Sequence, residues 1–247
     1  MLDLDRAYRY LRSDPQWLNR VIIGTLISMV PILNFAVLGY QLEVARRARD
    51  NADGSLPTWD DFGGYIGRGA KVFVANLVFS LPVIIGLIVI VLAFYLPLIA
   101  GLVSASTATS ARASSELAQR MTNQLLVSYG LAGCVWLPLT LYMSVPRILA
   151  PASFIQILNH DTIGAGLRVR EMIALIKARP GTFLGLVALT TGAGAVYASA
   201  AIFSPLLLFF MMAATIILGH LYGQAARPVA PQPQPMVTSH VPPPPQA

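Results

Sequence analysis

The sequence predicts an all-α integral membrane protein that crosses the bilayer several times. Of its 247 residues, 55% are hydrophobic and only 11% are charged, whereas about 25% of the residues in an average soluble domain are charged. Long stretches without Asp, Glu, Lys or Arg lie between Lys71 and Arg112 and between Arg179 and Arg227. A helix needs roughly 20 apolar residues to cross about 30 Å of hydrocarbon, so these stretches are long enough. A transmembrane β-barrel would instead show short alternating segments.

The chain begins with a segment that predicts a short surface helix, residues 1–16, followed by an apolar run that is interrupted by Pro31 and Asn34. The residue before a proline is disfavoured in the α region, so a first half-helix is expected to end at Val30. Asn is a good N-cap, so Asn34 is expected to cap a second helix that starts at Phe35. The run therefore predicts two helical pieces, arranged either as a hairpin that re-enters the membrane or as one kinked span.

The distribution of basic residues favours the hairpin. If residues 21–41 cross the membrane, the Lys and Arg residues divide 11 to 6 between its two sides. If the same segment enters and returns, 15 share one side and only Arg112 and Arg120 lie opposite. Basic loops stay on the cytoplasmic side, so the second arrangement is favoured. It requires neighbouring helices to cover the turn, because hydrocarbon cannot satisfy an open backbone.

The rest of the chain predicts about four spans, joined by polar segments. In the run 72–103, a short lead-in helix is expected before a span, with Pro82 and Pro97 as kinks. Ser204-Pro205 divides the last apolar run into two helices, because Ser caps and Pro suits a first helical position. The expected spans lie near residues 82–103, 124–146, 182–203 and 205–223.

Three polar segments are expected outside the hydrocarbon. Residues 41–69 carry Trp59, Phe62 and Tyr65 at three-residue spacing, which suits a segment lying among the headgroups; an ordinary connecting loop is the alternative. Residues 104–123 predict a small loop. The sequence VREMIALIKA, within residues 151–180, predicts a weakly amphipathic surface helix.

Charge and tail composition predict location and domain limits. The net charge is +6, but the sequence contains no basic helix and no aromatic–basic motif. Nucleic-acid binding is therefore excluded. Basic loops instead predict a multi-pass protein of the cytoplasmic (inner) membrane, with both termini cytoplasmic. Residues 1–227 are expected to form a single helical membrane domain. Residues 228–247 are Pro-rich and without Asp, Glu, Lys or Arg, which predicts a disordered cytoplasmic tail.

The sequence predicts no catalytic, cofactor or metal site. None of the common nucleophile, phosphate-binding or zinc-protease motifs is present. The single cysteine, Cys134, cannot form a disulfide within one chain. His160, Asp161, Glu171 and His220 do not form a convergent set of ligands, and surface or interface roles are expected for them. Residues 72–103, 124–145 and 182–219 carry no acidic or basic side chain, which argues against a proton-coupled transporter or a membrane-embedded acid–base enzyme.

The remaining candidates are structural or interaction residues. Gly39-Tyr40 and the motif containing Leu56, Pro57 and Trp59 are expected either to hold the surface helix against the hairpin or to contact a partner. A second candidate set lies on one face of a later helix, where small residues allow close helix approach. That face includes Gly185 and Gly192, and it is expected to pack within the chain or to form a homo-oligomer.

Three stretches carry a resemblance to a known family: DPQWLNRVIIG, PILNFAVLGYQLEVARRA and LPTWDDFGGYIGRGAK. The later IKARPGTFL and LGHLYGQAAR also fit. Over residues 10–227 the chain resembles the bacterial and archaeal membrane family catalogued as domain of unknown function 4013. The resemblance implies an integral membrane location, and it transfers no catalytic residues and no activity.

Two functions remain open from the sequence. The first is a scaffold or accessory subunit of a membrane complex, bound to the lipid bilayer and to a protein partner at the cytoplasmic face. The second is a small-solute or lipid transporter or channel without a titratable gate, since re-entrant hairpins and proline-broken helices also occur in transport proteins. An enzyme is not expected.

Overall fold

The computed structural model describes residues 2–52, 54–107, 111–200 and 205–228. This part of the chain is almost entirely helical and contains no β-strand, which confirms the all-α class. The helices are α1 Leu4–Ser13, α2 Trp17–Ser28, α3 Asn34–Arg49, α4 Phe62–Thr107, α5 Ala111–Tyr142, α6 Ser144–His160, α7 Val169–Ala178, α8 Pro180–Ala200 and α9 Pro205–Ala226. The predicted Ser204 cap and the tail 229–247 lie outside the described residues.

The first apolar run is divided as expected, with a correction at the start of its second helix. Val30 is extended, with φ −102° and ψ 112°, and Pro31 opens a short 3-10 turn that ends at Leu33. Pro31 stops α2 because it constrains the residue before it. Asn34 is already the first residue of α3, and Leu33 precedes it without a side-chain cap. The prediction that Asn34 caps a helix starting at Phe35 is therefore wrong.

Helix α3 is the centre of the molecule and packs between α4 and α9. Glycines set the spacing on both sides. A Cβ at Gly39 would overlap the backbone carbonyl of Tyr65 in α4, and one at Gly219 of α9 would lie 2.8 Å from the carbonyl oxygen of Gln41. Small residues allow helix backbones to approach closely in membrane proteins. The three central helices are thus held in backbone contact.

Helix α4 differs from the predicted lead-in helix and span. It runs unbroken from Phe62 to Thr107, 46 residues and about 69 Å at 1.5 Å per residue. The predicted loop 104–123 is also wrong, because α4 continues to Thr107 and α5 begins at Ala111. Only residues 108–110, outside the described residues, separate the two helices. The small and polar residues of this segment are also compatible with the exposed ends of two helices. Its polarity was therefore not sufficient to identify a loop.

Helices α4 and α5 form an antiparallel arm, defined here as residues 82–107 and 111–139. Leu139 lies against Gly86, and Met121 lies against Gly101, which fixes the antiparallel register. Apart from its partner within the arm, α5 packs mainly on α6. Large apolar side chains cover the outside of the arm, and Leu137 is 67% exposed. Such a surface suits contact with lipid or with another apolar helix.

Three helical segments are long and apolar enough to cross a membrane: Phe62–Ser104, Ser115–His160 and Leu207–Ala226. A fourth is obtained if α7 and the part of α8 up to Val196 are counted together as one broken span, although they are bent by 108°. Helix α2 is apolar but shorter. The described residues therefore contain three to four candidate spans, in agreement with the predicted number.

The predicted helix VREMIALIKA is α7, with the expected bounds. It buries Met172, while Val169 and Ile173 remain exposed, so its apolar side is only partly segregated. Arg179 breaks the helical path, with φ −143° and ψ 62°. Pro180 then opens α8, in the position where a missing N–H costs nothing.

Candidate functional site

The motif residues chosen from the sequence lie together around one short loop, residues 55–59, called here the clasped loop. The rings of Tyr40 and Trp59 stack with centroids 4.3 Å apart. Leu56 is 1% exposed, and Pro57 is also buried. Gly39 precedes Tyr40 and lies against the backbone of Tyr65 in α4. Gly39-Tyr40 and the motif containing Leu56, Pro57 and Trp59 therefore lie together in the fold.

Four consecutive carbonyl groups of the clasped loop accept hydrogen bonds from side chains of other elements. A buried loop needs such partners, because unpaired backbone groups away from water are costly. Three of the five donors are tyrosine hydroxyls, and Arg47 adds a second bond to Ser55 at 3.0 Å. The bonds are Tyr10 to Ser55 at 3.1 Å, Arg20 to Leu56, Tyr40 to Pro57 at 2.9 Å and Tyr65 to Thr58 at 2.7 Å.

A buried ion pair holds the other side of the clasped loop. Asp14 and Arg20 are 2.8 Å apart, and the Asp14 side chain is only 3% exposed. The Asp14 carboxylate also accepts the backbone N–H of Leu56 at 3.1 Å and that of Gln16 at 2.8 Å. Trp59 donates its indole N–H to the carbonyl of Arg20 at 3.0 Å. The charges are thus compensated on several sides, as a buried pair requires.

The bonds around the clasped loop connect separate helices. The buried Tyr40 phenol donates to the Pro57 carbonyl. Each phenol around the loop is bonded to a backbone carbonyl, and no serine or cysteine nucleophile lies among the residues that contact the loop carbonyls. The arrangement fixes the N-terminal helices to the start of α4.

The aromatic residues between α3 and α4 are placed differently from the prediction. Tyr65 is 3% exposed and meets Trp59 edge to face, with centroids 5.7 Å apart. Phe62 packs against the same buried cluster. These rings face the protein, so the interpretation of an aromatic face lying among the headgroups is wrong. The three-residue spacing predicted that these rings share one side of the segment. Packing against α3 decided that this side faces the protein.

The other candidate residues are separate from the clasped loop. Pro31 and Asn34 lie at the turn between α2 and α3. A Cβ at Gly185 would meet Leu2 at 3.4 Å, whereas one at Gly192 would meet nothing within 4 Å. The contact with Leu2 is an ordinary van der Waals distance, so packing within the chain requires a glycine at neither position.

Sequence reasoning missed a second set of contacts, which we call the arginine-capped end. Here three helices end at the same side of the bundle, and cationic side chains bond their last carbonyls. Such carbonyls lack helical partners, and the C-terminal dipole attracts cations. Arg227 donates to Ala48 of α3 and Arg49 to Leu158 of α6 at 3.0 Å; Arg179 donates to Ala225 of α9 at 3.1 Å. A cluster of arginines at helix ends was visible in the sequence, but their carbonyl partners lie more than 40 residues away.

The N-terminal helix joins this same end. Gln224 and the backbone of Asp3 exchange two hydrogen bonds, at 2.7 and 2.9 Å, and Arg6 donates to Asn51 at 3.2 Å. Asp161 pairs with Lys71 at 2.9 Å. The chain segments before α2, after α3, after α6 and after α9 therefore meet.

The histidine expected at a surface is buried. His220 has no exposed area, its ring lies 4.8 Å from that of Tyr10, and Gln224 contacts its Nδ1 at 3.0 Å. Within the described ranges, no group of three or more His, Cys, Asp or Glu side chains is arranged to hold a metal ion. His220 thus packs α1 against α9.

Comparison with known proteins gives one family and no closer relative. No curated protein and no solved structure matches the chain. The model of the family described as Protein of unknown function (DUF4013) matches residues 22–206. That range contains the PILNFAVLGYQLEVARRA and LPTWDDFGGYIGRGAK stretches, and it is narrower than the expected 10–227. Since the match covers most of the chain, this protein belongs to the DUF4013 family, whose function is unknown.

Proposed function

We propose that the protein is a non-enzymatic accessory or scaffold subunit of a membrane complex, and that the turn between α2 and α3 contacts its partner. The observation that carries this proposal is the exposure of that turn. Ile32 is 74% exposed and Met29 is 54% exposed, although both are apolar and flank an irregular backbone. A partner helix would cover them.

The exposure of the turn is interpreted with the proposed membrane topology. In the proposed topology, residues 21–41 enter the membrane from the cytoplasmic side and return to that side. Support comes from hydrogen bonds between the chain before and after this segment: Trp59 donates to the Arg20 carbonyl, and the Leu56 N–H donates to Asp14. Both termini are then cytoplasmic, together with the arginine-capped end, as the excess of basic residues on one side favours.

A turn at membrane depth needs protein around it. Pro31 has no N–H, and Val30 is extended, so the helical ladder is interrupted there. Hydrocarbon cannot supply the missing hydrogen bonds, and non-helical backbone is tolerated in a bilayer only where protein or water covers it. Within the described residues, Ile32 has little cover from this chain. A transmembrane helix of a partner protein has the apolar surface that would cover this turn.

The rest of the molecule suits a rigid support for such a contact. The clasped loop and the arginine-capped end fix the ends of the central helices through many side-chain-to-carbonyl bonds. Satisfied buried polar networks rigidify a structure. The clasped loop and the arginine-capped end therefore form a rigid support for the hairpin.

Site-specific crosslinking in native membranes tests the proposal. The photoreactive residue p-benzoylphenylalanine is placed at Ile32, and, as the matched control, at Leu137 on the arm, which is exposed to a similar degree. We expect a discrete protein adduct from position 32 and mainly lipid adducts from position 137. The same adduct should appear as a stoichiometric component after purification in mild detergent. Only lipid adducts at position 32 would contradict the proposal.

A second candidate is a channel or transporter for a small solute or lipid. The observation in its favour is the 108° bend between α7 and α8, since broken helices form the substrate sites of several transporter folds. Solute flux into vesicles that contain the purified chain alone, lost on changing Pro31 or Asn34, would support transport over scaffolding.

A further inference from the structure

A groove of about 860 Å³ lies between α1, α8 and α9. Its apolar lining includes Leu4 of α1 with Gly185, Ala188 and Leu189 of α8. Its polar end is lined by Arg179 and Gln224, where α8 begins and α9 ends. Sites for small molecules have volumes of about 300–1,000 Å³, mostly apolar walls and a few polar groups. The groove has these properties.

The polar and apolar parts of the groove follow the order of a membrane surface. Arg179 is the last charged residue before residues 180–226, which contain no Asp, Glu, Lys or Arg. The polar end of the groove coincides with the arginine-capped end, where Arg179 donates to the Ala225 carbonyl. The apolar lining continues along α8. On the same helix, Leu184 is 71% exposed. A ligand that fits must have a charged head and an apolar chain in this order.

Arg179 can bind an anion without giving up its structural bonds. It donates to the carbonyls of Ala225 at 3.1 Å and Arg227 at 2.8 Å, and a guanidinium carries five N–H groups. Its side chain is only partly buried. Arginine is also the residue best suited to recognise phosphate. Basic pockets between membrane helices on the cytoplasmic side bind lipid headgroups in other proteins.

We propose that this groove binds one phospholipid molecule, with its phosphate at Arg179 and an acyl chain along Gly185 and Ala188. The absence of a side chain at Gly185 leaves the space that the acyl chain occupies. The Pro-rich tail is a poor alternative, because residues 228–247 contain no acidic side chain to complement Arg179. This proposal does not depend on the partner contact at Ile32, which lies on another part of the molecule.

The test measures lipid retained by the delipidated full chain in detergent, using native mass spectrometry. The probes are phosphatidylglycerol with two oleoyl chains and dioleoylglycerol, which has the same chains and no phosphate. We expect one phosphatidylglycerol per chain and no retained dioleoylglycerol. Gly185→Leu fills the groove and should abolish the adduct, as should Ala188→Leu, a second variant that guards against a folding defect in the first.

Gly192→Leu is the matched control, because position 192 lies on the same helix and its added side chain would point into open space. This variant should retain the phospholipid. Equal retention by the wild-type chain, Gly185→Leu and Ala188→Leu would overturn the proposal, and so would equal binding of dioleoylglycerol. A dimer in the wild-type spectrum that is lost in Gly185→Leu would instead assign the groove to a second copy of the chain.

Discussion

Ser128 of α5 donates a hydrogen bond of 2.8 Å to the carbonyl of Ala93 in α4. This is the carbonyl four residues before Pro97, which has no N–H to bond it in the helix. A second hydrogen bond between the two helices lies near Pro82, the other proline of α4, where the Tyr142 hydroxyl donates to the Phe79 carbonyl at 3.0 Å. Membrane helices tolerate proline when neighbouring side chains satisfy the freed groups. The two helices of the arm are thus joined where α4 is weakest.

Replacing Ser128 should destabilise the arm, and the cost should depend on Pro97. We expect Ser128→Ala to lower the free energy of unfolding by about 1 kcal/mol, the scale of hydrogen bonds between membrane helices. In a Pro97→Ala background the new N–H bonds Ala93, so the same change should cost close to nothing. Denaturation with SDS in mixed micelles measures all four proteins of this cycle. Thr122→Ala is the control, since Thr122 bonds only its own helix at Ala118; an equal cost in both backgrounds would contradict this assignment.

Removing the Tyr40 hydroxyl should weaken the clasped loop. Tyr40→Phe leaves the buried carbonyl of Pro57 without the donor that lies 2.9 Å away, which costs about 1–3 kcal/mol. Tyr8→Phe removes a hydroxyl from a side chain that is 51% exposed, and exposed substitutions stay within about 0.5 kcal/mol. Thermal unfolding in detergent compares the two variants, and similar melting temperatures would show that the Pro57 bond contributes little.

Two glycine-to-alanine changes should have opposite signs. At Gly39 the added methyl meets the carbonyl of Tyr65, a backbone atom that cannot rotate away, so Gly39→Ala should destabilise by about 1–3 kcal/mol or more. At Gly67 the methyl meets nothing within 4 Å, and Ala is preferred over Gly inside a helix by roughly 0.5–1 kcal/mol. Unfolding measurements on both variants test the close approach of α3 and α4, and a tolerated Gly39→Ala would argue against it.

The buried ion pair should be costly to break on one side. Arg20→Met leaves the Asp14 carboxylate, with its 3% exposed side chain, without its cation, and such changes cost about 3–5 kcal/mol. Adding Asp14→Asn to Arg20→Met should recover part of that loss, because the uncompensated charge is gone. Chemical denaturation of the two variants checks the order. A double variant less stable than Arg20→Met would show that the carboxylate matters more for Leu56 than for Arg20.

The topology can be mapped with single cysteines in a Cys134→Ala background. Cysteines replace Asp53, Ser115 and His160, and a membrane-impermeant thiol reagent is added to sealed vesicles of each orientation. We expect positions 53 and 160 to react from one side and position 115 from the other, because the proposed re-entrant hairpin would return the chain to its starting side. Reaction of position 53 from the side of position 115 would instead require residues 21–41 to cross.

Some of the fold follows directly from local chemistry. The break at Val30 is predicted because Pro31 restricts it, and Pro205 begins α9 because proline suits a first helical position. The helix at VREMIALIKA is also predictable, since it lies between an irregular segment and a proline. The helical continuation through 104–123 is not, because polar residues are compatible both with a loop and with exposed ends of two paired helices.

The sequence by itself determined the all-α class and the candidate spans, because apolar length and proline act within a few residues of each position. The tertiary structure decided which carbonyls these side chains bond and which way the rings of Trp59 and Tyr65 face. Those outcomes depend on contacts such as Arg227 with Ala48, which are 179 residues apart. Local periodicity carries no information about partners at that separation, so only the packing of α3 between α4 and α9 could settle them.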